Sequence, residues 1–599
     1  MALVQEIKPS KKNLFSINSQ TVLGNEAIAF GLFDEGVEYA ASYPGTPSTE
    51  VMDQLLDLSL NSSLIASWST NEAVAFEEAA ATAITGTDSA FVCKSVGINV
   101  AMDPLMTLAN SGVNGAFVIV VADDPGMHSS QNEQDNRLIT LFSRLPMFEP
   151  SSVQECYDLA REAVKLSKKY KIPVMLRSVT RVSHALGIVT RRPSLLTPKV
   201  EFKKNPQRFV NIPGNARKNH HRIIELRRQL KEEVISSEFW EEIKLGANPD
   251  YLVVTSGSSA NYTKEAITAL NLNCHIFIPK LIAPFPERKI IEIAPKYKKL
   301  IVIEELEPYL ETKVKHVIQS NKIKVQVYGK EDGITSREGE LTTEKLMANL
   351  AKVLNINYEP PKVISKQIID LIKIRPPVLC AGCPHRSTYV LIDKLLKKSN
   401  PIYCNDIGCY SLGVLPPHNT ADILICMGAS IPMATSISLT KPENMGVALI
   451  GDSTFWHSGI PGLANAIWKN VNILIVIMDN QTTAMTGDQP NPSATNSPLD
   501  IAKTVEAMGA KTITINPMDF NKYRKSLQAF IKDDGVKVIV SKYPCALNIA
   551  REIKKEGKTL PLAKINEENC NGCNMCIEPL GCPALTLNKK RLAQIDPTL

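Results

Sequence analysis

Two stretches of the 599-residue chain end apolar runs with oxygen-bearing side chains spaced to hold a cation. GDSTFWHSG, residues 451–459, follows MGVALI, and MDNQTTAMTG, residues 478–487, closes NILIVI. Asp452 and Asn480 should then stand at the ends of neighbouring strands, with the backbone carbonyl of Thr482 as a third oxygen. Such a set suits a hard ion such as Mg²⁺, which takes oxygen ligands and shares them with substrate phosphates. A Gly-Asp pair after a strand is also an ordinary turn with a capping aspartate. The paired loop around Asn480 is what favours the metal.

The sequence holds 13 cysteines, many of them in two groups. LCAGCPHRS gives Cys380 and Cys383, DIGCYS gives Cys409, and KYPCAL gives Cys545 after another apolar run, with Cys404 as a possible substitute. A C-x2-C alone fits zinc, a redox dithiol or chance, whereas four thiols in the same α/β region as the cation motif fit an iron–sulfur cluster. The tail, CNGCNMCIEPLGCPALTLNKKRLAQIDPTL, carries Cys570, Cys573, Cys576 and Cys582, the last followed by Pro583. This is close to the bacterial ferredoxin run, in which the fourth cysteine serves a second cluster. A zinc knuckle is the competing reading. No second C-x2-C-x2-C follows, so the tail is expected to be half of a two-cluster unit. So small a piece should depend on its cluster for order.

The Asp452 and Asn480 loops resemble the GDG-to-NN motif that holds Mg²⁺ and the diphosphate in thiamine diphosphate enzymes. Ser453 stands where the motif has a glycine, and Asp479 where it has an asparagine. That chemistry also needs a carboxylate to protonate the aminopyrimidine so that its amino group can take the thiazolium proton. WSTNEAVAFEEAAATAITGT offers Glu72, Glu77 and Glu78 on an alanine-rich helix. Glu72, near the helix start, is the choice, although an acid there also caps a helix dipole. YPGTPS, a Pro- and Gly-containing loop, could set Thr46 against the cofactor or be an ordinary turn.

These residues need a scaffold that brings distant loops together. GAFVIVVADDPGMHSS, IPVMLRSV, YLVVTSGSSANYT, KLIVIEELEP, MGVALIGDST, NILIVIMDNQ and VKVIVSKYPCA alternate with helical stretches. That is the pattern of doubly wound parallel sheets, whose loops at the carboxyl ends of strands bind ligands. The length demands several domains. Between Lys199 and Lys231 basic residues far outnumber acidic ones, which reads as a linker and a surface helix, solvated or docking an acidic partner. Proline pairs in NYEPPKVISKQ and IRPPVL mark a second break. A formal charge of +6 exerts no strong pull toward nucleic acid or acidic lipid. With no apolar stretch of about 18 residues and no signal-like start, a cytoplasmic protein that does not span a membrane is expected.

Taken together, SYPGTPS, STNEAVAFEEA, DDPGMHSSQNEQDNR, CAGCPHR, DIGCYSLG, GDSTFWHSGIPGLANAIW, MDNQTTAMTGDQP and the tail resemble the 2-oxoacid:ferredoxin oxidoreductase family, over essentially the whole chain. The likeness is greatest to large, alpha-type subunits that act on aryl pyruvates such as indolepyruvate. It implies a pyrimidine-binding-type α/β domain over 1–195, a basic linker and helix over 196–246 and a transketolase C-terminal-like domain over 247–356. A diphosphate- and Mg-binding α/β domain over 373–560 and a partial ferredoxin-like segment over 561–599 complete the chain. It assigns Glu72 and Thr46 to the pyrimidine and Asp452, Asn480 and Thr482 to Mg²⁺. Gly428, Gly451, Ser453 and Met485 become further cofactor contacts. Cys380, Cys383, Cys409 and Cys545 bind a proximal [4Fe–4S] cluster, and Cys570, Cys573, Cys576 and Cys582 a ferredoxin-like one. The implied reaction is oxidative decarboxylation with coenzyme A and ferredoxin as co-reactants and a smaller beta subunit completing the enzyme. Asp488 and Asn491 stand where histidines are expected in the nearest relatives. A non-redox thiamine decarboxylase or carboligase, or an electron-transfer scaffold, are the alternatives.

Overall fold

The computed structural model describes residues 19–192, 200–234, 239–360, 370–372, 376–560 and 563–598. The chain forms two units, Met1–Ser365 and Lys366–Leu599.

The first unit holds a seven-stranded sheet in the order Leu281–Ala283, Met147–Phe148, Val174–Val179, Phe117–Asp123, Ser89–Lys94, Tyr39–Ser42, Ile65–Trp68. All neighbours are parallel except the first pair. A five-stranded sheet runs Gln326–Tyr328, Lys299–Ile303, Tyr251–Thr255, Cys274–Pro279, Trp240–Leu245, parallel save for its last member. Every residue of Phe117–Asp123 is buried, as expected of a β-branched run with helices on both faces.

Two details differ from the reading of the sequence. Trp240–Leu245 lies in the stretch assigned to a linker, yet it is an edge strand of the second sheet. Its charged residues broke the apolar run, but Ile243 and Leu245 pack on one core cluster and Trp240 on another, which is the two-faced alternation of a strand. The neighbouring Leu281–Ala283 crosses over to pair with Phe148 and Met147 of the first sheet. The basic helix Pro213–Val234 buries Ile223 and Leu230 against the first sheet's core. The basic stretch is not merely a solvated face, because Arg208 donates to the carbonyls of Ser111 (2.9 Å) and Val113 (2.9 Å) and Arg222 to that of Asn110 (2.8 Å).

A buried ion network joins the two sheets. Arg137 pairs with Asp135 (2.6 Å) and Glu304 (2.7 Å) and donates to the carbonyls of Glu305 and Glu307. Arg177 pairs with Asp123 at 2.6 Å and with Glu149. Asp123, Asp135 and Arg137 of the motif DDPGMHSSQNEQDNR thus belong to this network.

The second unit holds a six-stranded, wholly parallel sheet in the order Ile423–Leu424, Pro401–Asn405, Met445–Gly451, Ile473–Asp479, Val536–Lys542, Lys511–Ile515. Gly451 lies opposite Met478, and Asp479 opposite Lys542, so the loops that follow leave the sheet edge side by side. The tail forms an antiparallel hairpin, Leu585–Leu587 with Ala593–Ile595. Among the described residues no helix is long and apolar enough to cross a membrane.

Candidate active site

In the second unit the paired strands bring Asp452 and Asn480 together. Turned one way, the Asn480 amide nitrogen donates to Asp452 Oδ1 (3.2 Å) and to the Thr482 carbonyl (2.9 Å). Turned the other way, three oxygens face one another with no proton between them, a crowding that a cation would relieve. Asn491 donates to Asp452 Oδ2 at 3.0 Å. All three ligand candidates are buried. Burial, with the carboxylate of Asp479 next, pushes the Asp452 carboxyl above its usual range. Asp479 is itself raised, by burial, and Lys542 opposes this from 3.4 Å. An oxygen-rich site whose negative charge is poorly compensated is what a divalent ion needs.

Glycines shape the surroundings. A Cβ at Gly451 would stand 2.4 Å from Cε1 of Tyr410, whose hydroxyl lies 3.0 Å from Thr454 Oγ1 and donates to the Ile407 carbonyl (2.9 Å). Gly428 has φ +86, and a Cβ there would meet Ser458 Cβ at 2.3 Å. Its N–H donates to Asp406 Oδ1 (2.6 Å), and Asp406 also accepts from the N–H groups of Ala429 and Ser430 at the start of the helix Ser430–Thr440. Ser453 Oγ accepts from Thr483 Oγ1 at 3.0 Å, and Met485 is about half exposed.

Cys380, Cys383, Cys409 and Cys545 gather in the same unit. Burial pushes the thiols of Cys383 and Cys409 up to about 12, and both also feel Cys380 and Cys545. Cys380 is raised by burial and then by Cys545. The nearby Arg386 guanidinium opposes the rise at Cys380 and Cys383. Cys383 and Cys545 precede the helices Pro384–Leu396 and Ala546–Lys555 as their N-caps, and the His385 N–H points at Cys383. Among the described residues no three His, Cys, Asp or Glu side chains are arranged around a single metal ion. Cys404 lies in the hydrophobic core, away from this group. Asp488 reaches Cys380 and Cys409 electrostatically and pairs with Arg551.

In the first unit Glu72 opens the helix Glu72–Ile84 behind the Asn71 cap and is buried, while Glu77 and Glu78 are exposed. Gly97 makes room for it: a Cβ there would lie 2.7 Å from Glu72 Oε1. Lys94, which the sequence did not single out, links Glu72 to the YPGTPS loop. Its stem passes under Gly45, its ammonium donates to the Ser129 carbonyl (2.7 Å), and Ser129 Oγ donates to the Thr46 carbonyl (3.0 Å). Burial lowers the Lys94 pKa, opposed by Asp124 and Glu72. In the tail, Cys582 ends a turn at Gly581, and the Ala593 N–H donates to Cys570 Sγ at 3.4 Å.

Residues 31–239 match the family described as pyruvate flavodoxin/ferredoxin oxidoreductase, thiamine diP-bdg, and residues 406–541 match thiamine pyrophosphate enzyme, C-terminal TPP binding domain. The indolepyruvate oxidoreductase subunit IorA of Pyrococcus horikoshii is 38% identical over 99% of this chain and 95% of its own length. The chain belongs to the IorA family. IorA of Thermococcus kodakarensis is 38% identical and that of Methanothermobacter thermautotrophicus 36% identical, each over 96% of this chain and 94% of its own. A solved 2-oxoglutarate:ferredoxin oxidoreductase from Magnetococcus marinus aligns over 56% of this chain and 65% of its own at 17% identity, TM-score 0.46. The two family matches give the chain two thiamine diphosphate-binding domains. Thr46 and Glu72 fall in the first matched stretch, and Cys409, Gly428, Asp452, Asn480, Thr482 and Met485 in the second. Cys380, Cys383, Cys545 and the tail lie outside both.

Proposed function

We propose that this IorA-family chain is the catalytic alpha subunit of an enzyme that oxidatively decarboxylates indolepyruvate and related aryl pyruvates. The acyl group passes to coenzyme A and the electrons to ferredoxin. The convergence of Asp452 Oδ1, the Asn480 side chain and the Thr482 carbonyl carries this reading, because these oxygens fit a Mg²⁺ that shares a diphosphate. Gly451, Ser453, Gly428 and Met485 would line the same cradle. Bound there, thiamine diphosphate supplies the electron sink that lets CO₂ leave a 2-oxoacid. Glu72 would hold the proton exchanged with the aminopyrimidine ring, and Thr46 would pack beside that ring. Cys380, Cys383, Cys409 and Cys545 would ligate a [4Fe–4S] cluster that takes electrons one at a time, and Cys570, Cys573, Cys576 and Cys582 would serve a ferredoxin-like exit. A smaller beta subunit completes the enzyme, which works in the cytoplasm.

The test is viologen reduction by the chain co-expressed with its smaller subunit, across pyruvate, 2-oxoglutarate, phenylpyruvate and indolepyruvate, with thiamine, magnesium and iron quantified. Reduction is expected with the aryl substrates above the others. Aldehyde release without viologen reduction would instead indicate a non-redox decarboxylase.

A further inference from the structure

Arg386 sits in the first turn of the helix Pro384–Leu396, just beyond Cys383, and is buried. Its guanidinium is divided between two distant segments. Nε donates to the Cys380 carbonyl (3.2 Å) and Nη2 to the Leu379 carbonyl, both in the loop that carries Cys380 and Cys383. Nη1 donates to the carbonyls of Leu580 (2.8 Å) and Gly581 (2.6 Å), immediately before Cys582. The thiols of Cys582, Cys383 and Cys380 all lie within its electrostatic reach. The tail is shaped to receive it: Gly581 has φ +54, and a Cβ there would stand 2.4 Å from Pro417 Cδ and 3.5 Å from Arg386 Nη1. Reaching carbonyls on both sides at once needs the planar multi-donor fork of arginine, which lysine lacks.

We infer that Arg386 is a positioning residue that clasps the cysteine tail to the C-x2-C loop, fixing Cys582 beside the first cysteine group and setting a positive charge between the two. The inference rests on the proposed function in taking both groups as cluster ligands. A fixed separation keeps electron transfer between the groups constant. Reduction adds an electron to a cluster, so a nearby cation stabilises the reduced form and raises the reduction potential.

The experiment compares the co-expressed holoenzyme with R386Q, R386K and G581A, reading amide hydrogen exchange over residues 577–587 and the potentials of the clusters by spectroelectrochemical titration. In R386Q the tail amides should exchange about tenfold faster or more, since hydrogen bonds from a charged donor are lost, and the potential of the first group should become more negative. R386K keeps the charge without the fork, so exchange should rise while the potential stays near wild type. G581A should loosen the tail with Arg386 intact and the potential unchanged. Unaltered exchange in R386Q, or an unmoved potential in R386Q, overturns the inference. Wild-type protein free of iron would defeat the cluster assignment instead, and faster tail exchange in R386Q than in that iron-free wild type would still support the clasp, equal exchange overturn it.

Discussion

Asn491 donates its amide N–H to Asp452 Oδ2 at 3.0 Å, on the carboxylate oxygen that Asn480 does not face. Asp452 is thus held from one side and left free to present Oδ1 to a cation on the other. Outer partners of this kind typically contribute 10–100-fold to metal affinity. Calorimetric titration with thiamine diphosphate and Mg²⁺ should show N491A weakened by about that factor and D452A by about 100-fold or more. Wild-type affinity in N491A would remove its orienting role.

Much of this arrangement was legible in the sequence, and the reasons it was partial are physical. The strands behind Asp452 and Asn480 announced themselves because a parallel strand buried on both faces is a continuous apolar run. Glu72 could be chosen over Glu77 and Glu78 because a helix start at a strand-end loop buries its first residue. Lys94 gave no signal, since it acts through one contact across a gap in sequence, on Ser129, and Asn491 stood out only as a departure from an expected histidine, without its contact to Asp452. Arg386 looked like part of a cysteine motif, and only folding shows that its partners lie at Leu580 and Gly581. Trp240–Leu245 was hidden by its charges, which an edge strand tolerates.

Glu72 is buried in a position opened by Gly97, and the proposed function makes it the acid–base partner of the aminopyrimidine ring. Removing a general acid–base group costs about 10²–10⁴-fold in rate. E72Q should therefore lose turnover on that scale in steady-state assays while its affinity for thiamine diphosphate, measured separately, changes far less. Equal losses in affinity and turnover would point to a binding role alone.

The buried network in the first unit should behave as an uncompensated-charge trap. In R137A both Asp135 and Glu304 keep their burial and lose the cation that pairs them. Breaking such a pair from one side costs about 3–5 kcal/mol. Urea unfolding followed by a probe in the first unit should show a lowered midpoint of that order. R177A should do the same through Asp123 and Glu149, and a shift below about 1 kcal/mol in both variants would count against the network as the joint between the sheets.

Near the YPGTPS loop, His184 faces Glu50 at 3.5 Å, and Glu50 also accepts from Asn25 at 2.7 Å. The hydrogen bond to Glu50 raises the His184 pKa above its ordinary 6.5. Burial pushes the Glu50 carboxyl up, but the hydrogen bonds from His184, from its own backbone N–H and from Asn25 outweigh it and leave the carboxyl below its ordinary 4.5. A raised histidine binds its proton more tightly in the folded chain. Its contribution is therefore fully present below pH 6.5 and fades as pH rises through the folded value. The depressed glutamate contributes above pH 4.5 and loses that contribution as pH falls through its own folded value. The pair thus stabilises the helix Thr49–Ser59 between these limits. Both side chains are about one-third exposed, so solvent screening holds the effect to roughly 1 kcal/mol or less. An NMR titration of the His184 ring should give a midpoint above 6.5 in the wild type that returns toward 6.5 in E50Q. A midpoint that does not respond to E50Q would show that the two side chains do not interact in solution.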